Sequence, residues 1–412
     1  MRKIMRRLMP LMALMFLVNF LDRVNLSFAA LTMNEDLGLS SLTYAWGAGI
    51  FFIAYFVFEV PSNLIMERVG ARLWMTRIML SWGLVSASMA LVQGPTTFMV
   101  VRFLLGAAEA GLVPGILLYI TYWFPPRYRG RAIAGFLITA PMSFVIAGVL
   151  SVPILRMNGI AGLAGWQWMF IIEAIPALLL AVAVFFYMDD VPSDAQWLNE
   201  EQKAWLDAEL RGEARARHVS MREQFATLWD RRVGMLALIY VGRTTAMYGI
   251  SLFLPLIVKA MGLTNEQVGW VSTIPFLFAT AGVIVWAYSS DRSNERHWHT
   301  IWTMIIAAMG LAAAAKLGTS SAALIALAVA AIGLYAQPIS FWALPPVILS
   351  ATAAAGGIAF INALGNLGGF VGPYLVGWTQ SVTGDYSSGL YVLATFAAVS
   401  AVLGIIMSRL DW

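Results

Sequence analysis

MVVRFLLGAAEAGLVPG, residues 99–115, sets an arginine and a glutamate into an otherwise apolar run. Arg102 and Glu109 are seven residues apart, which on an α-helix is about two turns and roughly 10 Å along one face. Both side chains then look the same way at different depths. What such a placement means depends on the solvent around the helix, and composition supplies it. Of the 412 residues, 60% are hydrophobic and 12% charged, with a mean hydropathy of +0.76. Soluble domains keep about a quarter of their residues charged. The run therefore lies in a membrane protein.

Apolar stretches of spanning length recur twelve times, starting near residues 8, 42, 73, 96, 132, 166, 233, 267, 298, 322, 352 and 388. Each has about 20 residues or more, enough for a hydrocarbon core of about 30 Å. They do not alternate with a period of two, so they are helices and not barrel strands. The N-terminal MRKIMRR and the apolar run behind it resemble a secretory signal. Asp22 and Arg23 interrupt that run and no small-residue cleavage site follows, so it reads as a retained first helix.

Of the 26 Lys and Arg residues, only Arg156, Lys259 and Lys316 fall outside when both termini are placed in the cytoplasm; Arg23, Arg102 and Arg243 lie within spans, leaving twenty inside. That bias sets the orientation. It also accounts for the basic pI near 9.3 without nucleic acid. The expected organisation is all-α and polytopic: a six-helix bundle over 1–188, a cytoplasmic linker over 189–232, and a second six-helix bundle over 233–412. Within the linker, NEEQKAWLDAEL reads as a short amphipathic helix capped by Asn199 with Gln202, its Trp205–Leu206–Leu210 face resting on the membrane or the bundle. The two halves rhyme. MERVGAR follows helix 2 and SSDRSNERHWH follows helix 8, each an acid–arginine pair at a cytoplasmic helix end. Glu67, Arg68 and Arg72, with Asp291 and Arg292, are expected to form a state-dependent cytoplasmic latch. Helices 5 and 11 both break their apolar runs with Gly and Pro, as parallel repeats in a rocking transporter do.

Seven charges lie within spans: Asp22, Glu59, Glu109 and Glu173 beside the three arginines. At about 2.5–3.5 kcal/mol each, leaving all of them unpaired would cost roughly 20 kcal/mol. They must pair, neutralise or line a wet cavity. Asp22 and Arg23 are neighbours about 100° apart on helix 1, so each needs a partner on another helix, with Arg102 and Glu109 the nearest candidates. Arg243 adds a third arginine from the opposite half. The planar fork of arginine suits a carboxylate, and arginines converging from both halves fit an organic anion. The acids point to a proton as coupling ion. Tyr55, Gln337, Asn362 and Asn366 offer neutral polar contacts to substrate or interhelical glue. Glu59 is expected in a structural ion pair and Glu173 in a structural role.

Other classes are disfavoured. There is no cysteine, which excludes disulfides, iron–sulfur clusters and thiolate zinc. No lysine is followed by Ser or Thr, so no P-loop exists. No channel filter appears. The three histidines, His218, His297 and His299, are all expected in cytoplasmic loops, away from any intramembrane chemistry. No metal or organic cofactor is expected.

NFLDR, EVPSNLIMERVGARLWMTR, RFLLGAAEAGLVPG, YWFPPRYRGRA, GWQWMFIIEAIPA, YGISLFLP and GGIAFINALGNLGGFVGPY together resemble the anion:cation symporter branch of the major facilitator superfamily. The resemblance covers nearly the whole chain. It implies proton-coupled symport of an organic acid in a bacterial inner membrane; a single chain is the default expectation. By it, Asp22 and Glu109 match protonatable positions, Arg23 and Arg102 match the arginines near the substrate carboxylate, and Tyr55 and Asn366 match substrate contacts. Arg243, five residues before Tyr248, matches an arginine of vesicular glutamate relatives and favours a dicarboxylate such as tartrate over a sugar acid such as galactonate or glucarate. The helix 2–3 loop departs from the superfamily pattern, with Asn63 and Glu67 where Gly and Asp are usual. Rival expectations are an aromatic-acid symporter, an electroneutral anion exchanger and a drug/proton antiporter.

Overall fold

A computed structural model describes residues 1–125, 127–129, 132–133, 139–214, 230–349 and 351–410. Among these, the regular structure is entirely helical. The beginning of the fifth apolar run at 134–138, linker residues 215–229 and His218 lie outside the described residues. Before the linker run α1 (Arg2–Asp36), α2 (Ser41–Val69), α3 (Ala71–Ser88), α4 (Pro95–Glu109), α5 (Leu112–Trp123), α6 (Thr139–Leu155) and α7 (Gly165–Tyr187). The linker holds α8 (Glu200–Ala214). After it come α9 (Arg231–Lys259), α10 (Asn265–Val271), α11 (Thr273–Ser293), α12 (His297–Leu317), α13 (Ala322–Phe341), α14 (Ala351–Thr383) and α15 (Ser387–Arg409).

Ten stretches among the described residues are long and apolar enough to cross a membrane, α4 with α5 and α10 with α11 each counting once. The third and fifth of the twelve expected spans are not among them. α3 has 18 residues and carries Arg72 at its start and Arg77 inside the span expected from residue 73, an eighth charge within the spans beyond the seven expected, which lowers its hydropathy. α6 covers only 17 described residues.

Local chemistry sets several helix starts. Ser40 accepts the Thr43 N–H at 3.1 Å to open α2, and Asp230 accepts that of Arg232 at 2.8 Å to open α9. At α8, Gln202 N–H donates to Asn199 Oδ1 at 2.8 Å while the Asn199 N–H donates to Gln202 Oε1 at 3.3 Å, the reciprocal box read from the sequence. Of its apolar face, Leu206 is buried and Leu210 half-buried against the protein, while Trp205 is exposed.

The helices before the linker pack among themselves, α1 on α6 and α7, α2 on α4, α3 on α7. Those after it do likewise, α9 on α14 and α15, α12 on α13 and α15. A seam joins the two groups along α2–α14, α1–α9 and α6–α11. Tyr44 Oη donates across it to the Leu252 carbonyl at 2.8 Å, and Phe144 stacks on Phe276 at 4.1 Å. Small residues allow the close approach. A Cβ added at Gly148 would sit 2.5 Å from Thr273 Cγ2 and 2.8 Å from the Gly269 carbonyl. Gly148→Val is therefore expected to destabilise the closed seam by about 1–3 kcal/mol, the usual range for overpacking. The chain has no cysteine, so thiol labelling of a Ser151→Cys probe, buried at this contact, reads the change as faster modification. An unaltered labelling rate would show that this contact does not hold the seam.

Candidate functional site

The backbone around Glu109 departs from the continuous helix that residues 99–115 suggest. α4 ends at Glu109, Ala110 turns extended, and Gly111 takes φ +93° before α5 begins. Only glycine adopts that conformation without strain, and a Cβ there would also strike Ser62 Oγ at 2.3 Å. Glu109 thus sits at the end of a half-helix, a device transporters use to build sites at membrane depth. Its side chain is 0% exposed.

Arg23 of α1 reaches this carboxylate with two of its nitrogens. Nε donates to Glu109 Oε1 at 2.8 Å and Nη2 donates to the same oxygen. The remaining nitrogen, Nη1, donates to Tyr248 Oη at 2.9 Å. That last bond crosses the seam from α1 to α9. Around the guanidinium stand four rings, those of Tyr55 at 5.1 Å, Phe51 at 5.3 Å, Phe20 at 5.4 Å and Phe52 at 5.9 Å. An arginine desolvated among aromatic faces retains favourable cation–π contacts. Its planar fork suits a carboxylate.

Asp22 points elsewhere, as neighbours on a helix must. It is buried and accepts a bond from Ser86 Oγ of α3. Glu173 of α7 is buried nearby, with neither oxygen hydrogen-bonded among the described residues. Arg102, 2% exposed, is turned toward α2. Its Nε donates to the Gly47 carbonyl at 3.2 Å and its Nη2 to that of Ala48 at 3.5 Å, while the guanidinium lies 4.9 Å from the Phe51 ring. Arg102 and Glu109 therefore do not pair; the glutamate's cation comes from α1.

Beyond the seam, Arg243 Nε donates to the Leu334 carbonyl of α13 at 2.9 Å. Gln337, one turn past that carbonyl, is fully buried with neither amide atom hydrogen-bonded among the described residues. The Ser251 and Tyr335 hydroxyls meet at 3.0 Å. Asn362 and Asn366 donate to the two carboxylate oxygens of Glu59, at 3.0 and 2.8 Å. This corrects the ion pair expected for Glu59: its partners are amides 303 and 307 residues away, beyond anything local pattern reveals.

The contacts made by the residues expected to form a latch stay within their own halves. The Arg72 N–H donates to Asp190 Oδ1 at 2.7 Å, and Glu67 and Arg68 are exposed. Asp291 pairs with Arg296 at 2.7 Å instead of Arg292, which donates to Tyr288 Oη at 3.1 Å. Glu295 accepts the N–H groups of Trp298 and His299 and contacts the His299 ring at 2.9 Å. Burial works upward on its carboxyl, but these bonds prevail and hold it below the ordinary glutamate range.

Helices of membrane length whose buried charges meet along a seam between two groups describe a polytopic membrane carrier. The chain belongs to the Major Facilitator Superfamily, whose family model matches residues 12–373 and 236–411. It is a multi-pass transporter. A protein of Agrobacterium vitis named "Putative tartrate transporter" is 48% identical over 408 residues, covering 99% of this chain and 94% of that one. The "Quinolone resistance transporter" of Acinetobacter baumannii is 42% identical over 404 residues, covering 98% and 93%. Among solved structures, a bacterial homolog of the human lysosomal transporter Spinster, inward-facing and unoccupied, superposes with a TM-score of 0.78 at 16% identity over 97% of this chain and 96% of that one. The last likeness shows the fold.

Proposed function

We propose that the chain imports a small organic anion together with a proton, the best candidate being a hydroxy-dicarboxylate such as tartrate. The reading takes twelve crossings in two six-helix units, 1–188 and 233–412, joined by the linker 189–232. Both termini face the cytoplasm of a bacterial inner membrane, and one chain suffices. The two units rock about the seam.

One observation carries the proposal: Arg23 is held by Glu109 on one side and by Tyr248, across the seam, on the other. A proton on Glu109 removes the charge that occupies the arginine and frees its fork for a substrate carboxylate. An anion on Arg23 in turn releases Glu109 to take up a proton. Each ligand favours the other, the reciprocal linkage symport requires. Asp22 is the second protonatable site, and Arg102 braces the cluster and adds positive potential. Arg243 and Gln337 offer the far carboxylate or hydroxyls a partner from the second unit. The 48% identical tartrate-named relative supports the substrate class.

Uptake into proteoliposomes under an inward proton gradient tests the reading, with tartrate, a sugar acid and an aromatic acid offered together. Accumulation of one acid that collapses with a protonophore is expected. Exchange of preloaded anion without gradient-driven accumulation would make the protein an exchanger. The 42% identical quinolone-resistance relative favours a second reading, drug/proton antiport. Proton-driven extrusion of a quinolone, with no acid accumulated, would establish that reading instead.

Arg243→Ala separates dicarboxylates from monocarboxylates. A charged hydrogen bond contributes about 1.5–3 kcal/mol, so the KM for tartrate is expected to rise by roughly 10- to 100-fold while that for a monocarboxylic sugar acid changes much less. Equal KM values for tartrate in wild type and variant would remove Arg243 from the site.

A further inference from the structure

Glu59 is a carboxylate 6% exposed in α2, and among the described residues it makes no ion pair. Each of its oxygens accepts one amide hydrogen, from Asn362 and Asn366 on the facing helix α14. The two asparagines are four residues apart and so share one face of that helix. Both are half-buried. Two donors aimed at two oxygens of one carboxylate form a carboxylate clamp, here closed on a side chain of the protein itself.

The clamp adjoins the charged cluster. Tyr55, whose ring lies 5.1 Å from the Arg23 guanidinium, is one helical turn before Glu59 on α2, about 6 Å along the axis. The Thr244 hydroxyl, next to Arg243, donates to the Gly365 carbonyl, next to Asn366, at 2.7 Å. The far carboxylate of a compact diacid held on Arg23 has about four lone-pair sites, so it takes donors from both the asparagines and Arg243.

Resting on the organic-anion reading above, we infer that Glu59 is an internal stand-in for the substrate: its carboxylate fills the Asn362–Asn366 clamp in the empty carrier, and an incoming carboxylate displaces it. Two consequences follow from the geometry. Substrate affinity is set in part by competition with a group permanently tethered at the site, which acts as the repulsive element of specificity. Displacement also breaks the two bonds that tie α2 to α14, so binding the anion and loosening the seam are one event.

The experiment is calorimetric titration of tartrate into the purified full chain in lipid nanodiscs, for wild type, Glu59→Gln, Glu59→Asp, Asn366→Ala and the double variant Glu59→Gln/Asn366→Ala. Removing or retracting the competitor is expected to tighten tartrate binding about tenfold in Glu59→Gln and Glu59→Asp. Asn366→Ala weakens it, and the double variant forfeits the gain. The aspartate variant keeps the charge and serves if the glutamine variant does not fold. Wild type binding tartrate with unchanged or weaker binding in both folded Glu59 variants would overturn the inference and leave the transport reading standing. Wild type binding no tartrate, sugar acid or aromatic acid, yet binding a quinolone, would overturn both.

Discussion

In Glu109→Gln, accumulation of substrate under a proton gradient is expected to vanish while exchange of preloaded anion survives within a few-fold. The magnitude follows from the driving force. A pH difference of one unit is worth 1.36 kcal/mol per proton, so two units sustain about a hundredfold accumulation for one coupled proton. Without the titratable group that faces Arg23, the internal and external concentrations should equalise. Glutamine is close to isosteric and retains an oxygen to accept from Arg23 Nε, which now donates at 2.8 Å, so the fold survives. The arginine loses its competing charge and binds anion more tightly at neutral pH, and the loaded carrier still reorients. Gradient-driven accumulation that persisted in this variant would move the coupling to Asp22, whose carboxylate is buried on α1 against Ser86.

The pairing of Arg23 with Glu109 was legible from the sequence because the membrane makes unpaired charge costly, and helices 1 and 4 supply complementary signs at similar depth. The linker helix was equally legible, since a capping box is a local pattern. What escaped was set either by one backbone angle or by distant residues. Gly111 and Pro114 in AEAGLVPG were a signal for the break after Glu109, but the sequence does not say at which residue the helix stops. The Asp291 pairing turned on Asn294, whose φ of +48° folds the chain back and carries Arg296, not Arg292, to the acid. Asn362 and Asn366 were identifiable as polar residues on one helical face. Their partner was not, because Glu59 is brought to them only by the packing of α2 against α14. Arg102 shows a similar limit: its spacing from Glu109 suggests a shared face toward a cavity, yet it turns to the carbonyls of Gly47 and Ala48, which carry no side-chain signature.

Arg23→Ala is expected to abolish transport and to destabilise the protein, and the two effects can be separated. Removing one partner of a buried ion pair leaves the other uncompensated, at a cost of about 3–5 kcal/mol. Here the stranded group is Glu109, fully buried with its second oxygen already lacking a partner among the described residues. Tyr248 also loses its bond across the seam. A fall in thermal stability is therefore expected, and by itself would say nothing of substrate. The double variant Arg23→Ala/Glu109→Gln makes the distinction. It removes the stranded charge, so much of the lost stability should return, while the anion still has no fork to bind and exchange remains absent. Arg23→Lys gives the complementary result. An ammonium retains the charge but cannot hold both Glu109 and Tyr248 in the planar geometry of the guanidinium, so stability should be largely kept and affinity reduced by about tenfold or more. Exchange restored in the double variant would mean that the anion is held by Arg102 or Arg243 alone, and that Arg23 serves only to neutralise Glu109.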